Sequence, residues 1–145
     1  MFRKLLYCGL LAVMLLPLLS CEKYAGGTCY TGQIVAVTCV NGVLIDVDPR
    51  FPIGKPTSRN GGNGPVFLGR NVIAVSNSRD ITSSVSTATV PGTLNNIIGQ
   101  RLYFSAEPDS LVYGLGCYVA DGVREPVPGM RLSDISTTAC VPTWQ

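Results

Sequence analysis

The chain has 145 residues, 46% of them hydrophobic, with 11 basic and 9 acidic residues, six cysteines and no histidine. The missing imidazole excludes Ser-His and Cys-His catalytic arrangements and the usual His-bearing metal sites. The length suits one modest domain rather than two, and a net charge of +2 is far from the clustered excess of Lys and Arg that a nucleic-acid backbone demands.

In chain order, Arg3 and Lys4 precede an apolar run over residues 5–19 that is broken only by Gly9 and Pro17. A short basic region followed by such a run reads as a secretory signal. At about 15 residues it is shorter than the roughly 20 that span a bilayer. Leu18-Leu19-Ser20-Cys21 at its end resembles the lipobox of bacterial lipoproteins, in which the Cys thiol receives a diacylglycerol and becomes the N-terminus after cleavage. The resemblance implies a signal peptide at 1–20, lipidation at Cys21 and a membrane partner reached through that lipid. It places the protein in the cell envelope, on the periplasmic or surface face of an outer membrane. Taking the 20 signal residues from 145 leaves 125. Arg3 and Lys4 go with them, so nine basic and nine acidic residues remain and the mature domain is neutral.

Residues 21–28 read as a polar, Gly-containing tether, and 29–145 as a single domain. With Cys8 in the signal and Cys21 lipidated, Cys29, Cys39, Cys117 and Cys140 remain. An even number in an exported chain predicts two disulfides. Their long spacings, without a C-x2-C pair, do not suit zinc.

From Cys29 on, Val, Ile, Thr and Tyr gather in short runs between Gly, Pro, Asn and Ser, the pattern of strands and turns. Residues 33–48 predict a hairpin turning at Asn41-Gly42. A two-residue turn would set Val37 against Asp46. A three-residue loop of Val40, Asn41 and Gly42 instead pairs Cys39 with Val43, Val37 with Ile45 and Val35 with Val47, with Gly42 left-handed in a bulge. Four prolines and four glycines make 49–65 a long loop. Strands follow at 66–76, 100–106 and 130–140. Residues 77–89 read as an exposed strand or mobile loop, 90–93 as a turn, 94–98 as one helical turn before Gly99, and 111–120 as a further short strand.

This pattern predicts a mainly β domain, a small five-stranded OB-like barrel or else a small sandwich. In such a barrel the strand near 33–39 runs up, 100–106 down and 130–140 up again. Cys39 and Cys140 then finish at one end and Cys29 and Cys117 meet at the other. The straight first strand separates Cys29 from Cys39 by far more than the roughly 7 Å a bridge allows.

The lipobox at Cys21, the Cys29-Tyr30-Thr31-Gly32 opening and the Gly99-Gln100-Arg101-Leu102-Tyr103-Phe104 segment resemble small lipoproteins of the Bacteroidota, a family that brings no known activity with it.

For chemistry, Asp46, Asp48, Asp80, Glu107, Asp109, Asp121, Glu125 and Asp134 are the candidates for an acid/base pair. Asp46 and Asp48, alternating with Val47 on a strand, read more simply as facing water. A calcium site using them with Asn41 or Asp80 lacks the dense acidic loop such sites need. Asn60-Gly61-Gly62-Asn63-Gly64 has no following Lys-Ser/Thr and reads as flexible loop, not a phosphate cradle. Tyr30, Tyr103, Phe104, Tyr113, Tyr118 and Trp144 suit packing more than a sugar or peptide groove. The expectation is a lipid-anchored binding or structural protein of the envelope, with no cofactor, no metal and no nucleic acid, whose protein or glycan partner the residues leave open. A small acidic-residue hydrolase of an envelope polysaccharide is the alternative.

Overall fold

A computed structural model describes residues 28–85, 94–110 and 121–140. Six strands run in the order β1 (Tyr30–Thr38), β2 (Gly42–Val47), β3 (Lys55–Gly61), β4 (Gly64–Val75), β5 (Arg101–Pro108) and β6 (Gly129–Ser136). A helix, α1 (Ser78–Val85), and a 3-10 helix at Leu94–Ile97 lie between β4 and β5. The sheet order is β2-β1-β5-β6-β4-β3, and a further β2–β4 pairing joins β2, β1, β5, β6 and β4 into a ring with β3 as an outer flange. Neighbours are antiparallel except β4 and β6, where Ala74 and Val75 lie parallel to Gly129 and Met130. The domain is thus mainly β, and a ring of strands takes the place of the two facing sheets of a sandwich.

Closing the sheet buries one face of the ring. Ile34, Val43, Ile45, Val47, Ile73, Val75, Leu102, Phe104, Met130 and Leu132 form one cluster, to which α1 adds Ile81 and Val85 and the 3-10 helix adds Ile97. At roughly 1.5–3 kcal/mol for each large apolar side chain fully buried, this cluster is the main source of stability. Ala36, Leu44, Val72 and Ala74 make a second cluster, covered by Val35, Leu68, Val123 and Val127. Leu44 and Ile45, Val72 and Ile73, and Ala74 and Val75 are strand neighbours, so the two clusters lie on opposite faces of β2 and β4. Both faces being covered, these strands read as continuous apolar runs. Every buried apolar residue described lies between Ile34 and Leu132, so the domain after the tether carries its own core.

The second cluster also explains why the expected β1–β2 register is wrong. Thr38 pairs with Gly42 and Val37 with Val43, not with Ile45; the loop is Cys39, Val40 and Asn41. A shift between Ile34 and Ala36 puts an extra residue into β1. That bulge turns Ile34 into the ring and Ala36 onto the outer cluster. Strict alternation had kept the two on one face. Gly42 is left-handed as expected, with φ 67°. A Cβ there would strike Ser78 Oγ, which accepts the Val43 N–H and donates to the Val75 carbonyl.

Two further expectations are corrected. Residues 55–75, apart from Gly62 and Asn63, form the β3–β4 hairpin, so the Pro- and Gly-rich stretch does hold a strand. β3 is an edge strand, where a missing donor is tolerated, and Pro56 falls at a register shift between Lys55 and Thr57. Gly61 pairs with Gly64 across the turn, so the glycine cluster is a hairpin tip rather than a loose loop. Residues 78–85, expected as strand or loop, are helical. Asn77 begins the helix, donating to Asp80 and exchanging side-chain bonds with the Leu132 backbone, and Ile81 and Val85, four apart, turn into the core. The 3-10 turn before Gly99, which has φ 89°, is as expected. The turn at 90–93 and the strand at 111–120 fall outside the described residues.

Candidate binding surface

The cysteine assignment changes most. Cys29 is bonded to Cys140, with Cα atoms 6.0 Å apart, although the two are 111 positions apart in sequence. The expected pairs Cys29–Cys117 and Cys39–Cys140 are therefore overturned. The strand directions were right: β5 is antiparallel to both β1 and β6. What sequence did not show is the stagger that closes a ring. Tyr103 of β5 pairs with Thr31 at the start of β1 and with Ser136 at the end of β6. The chain after β6 thus arrives beside the beginning of β1, not its end. Cys39 is also disulfide-bonded, to a partner outside the described residues, where Cys8, Cys21 and Cys117 lie. The connection leading to β6 comes beside Cys39: Asp121 accepts the Cys39 N–H at 2.7 Å and Asn41 accepts the Val123 N–H at 3.1 Å.

The candidate carboxylates are spread over the domain, several of them fixing backbone. Asp46 accepts the Asn71 N–H at 3.0 Å, and the absence of a Cβ at Gly69 is what lets its carboxylate lie there. Asp48 accepts the Arg50 N–H, Nε and NH2. The Arg50 side-chain bonds hold the Asp48 carboxyl below its ordinary range and push the Arg50 guanidinium up. Glu125 accepts the Ser58 N–H at 2.9 Å and the Ser58 and Thr57 hydroxyls; the Ser58 N–H is the largest cause of its lowered pKa. An acid/base pair needs one carboxyl raised, and both of these are lowered. Asp46 and Asp48 therefore work as backbone braces rather than facing water idly. Among the described residues no three Asp, Glu or Cys side chains gather as a metal site would require.

The aromatic residues split as packing predicts. Tyr30 stacks on Phe104 at 6.0 Å and meets Phe51 edge-on at 5.3 Å, and Phe104 is buried. Arg50 lies over the Phe51 ring at 5.8 Å. Tyr113, Tyr118 and Trp144 lie outside the described residues.

The feature sequence reasoning missed is the β3–β4 arm. Phe67 is 62% exposed and Val66 45% exposed. Opposite them across the hairpin stand Ser58 and Arg59, which offer no apolar cover. Residues 123–125 line the outer edge of β3, through the Arg59–Val123 bridge and the Arg124 N–H to Ser58 carbonyl bond. The arm is thus braced along β3 at the level of Val66 and Phe67, while those two side chains stay exposed on β4. A signal was present in Val66-Phe67-Leu68, an apolar triplet after Gly64-Pro65 in a segment without acids. No protein-family model matches the chain, and no curated protein or solved structure matches it either.

Proposed function

We propose that this is a lipid-anchored binding protein of the bacterial envelope, of the kind seen in small Bacteroidota lipoproteins, that uses the β3–β4 arm as its contact surface. The exposed Val66 and Phe67, on an arm that Glu125 braces at Ser58, the partner of Phe67, carry the binding part of the reading. Exposed apolar side chains add little to folding stability, and here two stand at consecutive positions of one strand. The basic start, the apolar run and Cys21 support the anchor. The hydrolase alternative gains no support from the dispersed, lowered carboxylates.

Metabolic labelling with a radioactive fatty acid tests the anchor. The parent protein is expected to carry label and to sediment with membranes, since each buried acyl methylene supplies about 0.8 kcal/mol. Cys21→Ser is expected to abolish the label. A variant that keeps as much label as the parent would refute the lipoprotein reading.

A further inference from the structure

We propose that the β3–β4 arm inserts into an anionic lipid surface, so that the protein holds a bilayer by a second contact besides the lipid on Cys21. This rests on the binding role given to the arm above and commits it to one occupant.

Three observations converge. Val66 and Phe67 are consecutive on β4 and both exposed. Successive strand residues project to opposite faces, so one apolar side chain stands on each face of the arm, whose β3 edge is lined by residues 123–125. A folded partner or a stacked base engages one face; the interfacial zone of a bilayer surrounds what enters it. The charge is also segregated. Between positions 55 and 71 stand Lys55, Arg59 and Arg70 and no acidic residue, which leaves six basic and nine acidic residues in the rest of the mature chain. Lys55 and Arg70 are exposed and Arg59 is half-buried. Two carboxylates lie against the arm, Glu125 on Ser58 and Thr57 and Asp46 on the Asn71 N–H; with Arg124 beside Glu125, the arm and its brace hold four cations to those two acids. Apolar residues with flanking cations match an anionic interface, where the cations find lipid phosphates and the apolar side chains the acyl boundary. Finally, Gly62 and Asn63 at the tip are small, and a Cβ on Gly62 would meet nothing within 4 Å. The tip is free of the domain that carries it.

The test uses residues 22–145, which hold the whole described core and lack Cys21, so the arm is read without the anchor. Vesicles of phosphatidylcholine alone and with 30% phosphatidylglycerol are sedimented with the protein. Binding is expected to the anionic vesicles, at least tenfold above the neutral ones and weakened severalfold when NaCl rises from about 0.05 to 0.5 M. Phe67→Ser and the Arg59→Glu/Arg70→Glu pair are each expected to cut binding at least tenfold, and Phe67→Leu to keep most of it. Urea midpoints unchanged in Phe67→Ser and Phe67→Leu show that the fold is intact. Several results would overturn the proposal: no binding by the parent, equal binding to both vesicle types, or binding indifferent to Phe67. So would tighter, Phe67-dependent binding of an oligothymidylate, or a dimer in sedimentation that Phe67→Ser disperses; these would give the arm to nucleic acid or to a second copy. The fatty-acid label on Cys21 is independent of every one of these outcomes.

Discussion

The Cys29→Ser/Cys140→Ser double variant is expected to be less stable than the parent by about 4 kcal/mol. Cross-linking residues 111 positions apart removes a large share of the freedom of the unfolded chain, a term of about 4.7 kcal/mol for a 100-residue loop in the chain-entropy model. A second bridge at Cys39 already restricts that ensemble, which sets the lower figure. Urea denaturation of both proteins under non-reducing conditions measures the difference. A loss under about 1 kcal/mol would mean that the folded ring, and not the bridge, holds the start of β1. Non-reducing peptide mapping supplies the direct check, and a peptide joining Cys39 to Cys140 would refute the pairing.

Asn71→Ala is expected to cost about 3 kcal/mol. Asn71 is buried, and its side chain organises the turn after β2. Its Nδ2 donates to the carbonyls of Val47 at 3.1 Å, Asp48 at 3.3 Å and Phe51 at 2.7 Å, and its Oδ1 accepts the Gly54 N–H at 2.6 Å. Truncation strands several backbone groups in a place water reaches poorly, at about 1–3 kcal/mol for each group left unpaired, partly recovered as the turn relaxes. Phe51, which sits edge-on to Tyr30, is expected to loosen as well. Asn71→Asp keeps the acceptor but aims a carboxylate at three carbonyls, so it is expected to be at least as damaging. If Asn71→Ala unfolds at the parent's urea midpoint, the turn holds itself.

Which parts of this molecule the residues disclose follows from how local each signal is. Gly42 was readable because an Asn-Gly step between two apolar runs has few alternatives, and β5 because its apolar and aromatic run is compact. The helix at Ser78–Val85 was hidden by its Ser and Thr content; only Asn77, Asp80, Ile81 and Val85 gave it away, and their spacing matters only once a core exists for Ile81 to enter. β3 was hidden because Pro56 argues against a strand unless that strand is known to lie at an edge. The β1 bulge and the disulfide partners depend on how far each strand slides past its neighbour. That stagger is a property of the closed ring and has no counterpart in any one segment. The β3–β4 arm is legible as composition, an acid-free stretch with Val66 and Phe67, but its exposure follows only from seeing what fails to cover it.

The bridge between Cys29 and Cys140 also determines how the domain bears tension. A pull arriving through the residues before Cys29 is divided at once between β1 and the end of β6. β1 is flanked by β2 and β5, whereas β6 meets β4 only at Gly129 and Met130, so its end beside Cys140 is held by β5 alone. A load applied there is carried by the β5–β6 ladder on one side of the bridge and by the β1 ladders on the other. The bridge therefore sets two points of attachment, not one, against a pull on the residues before Cys29.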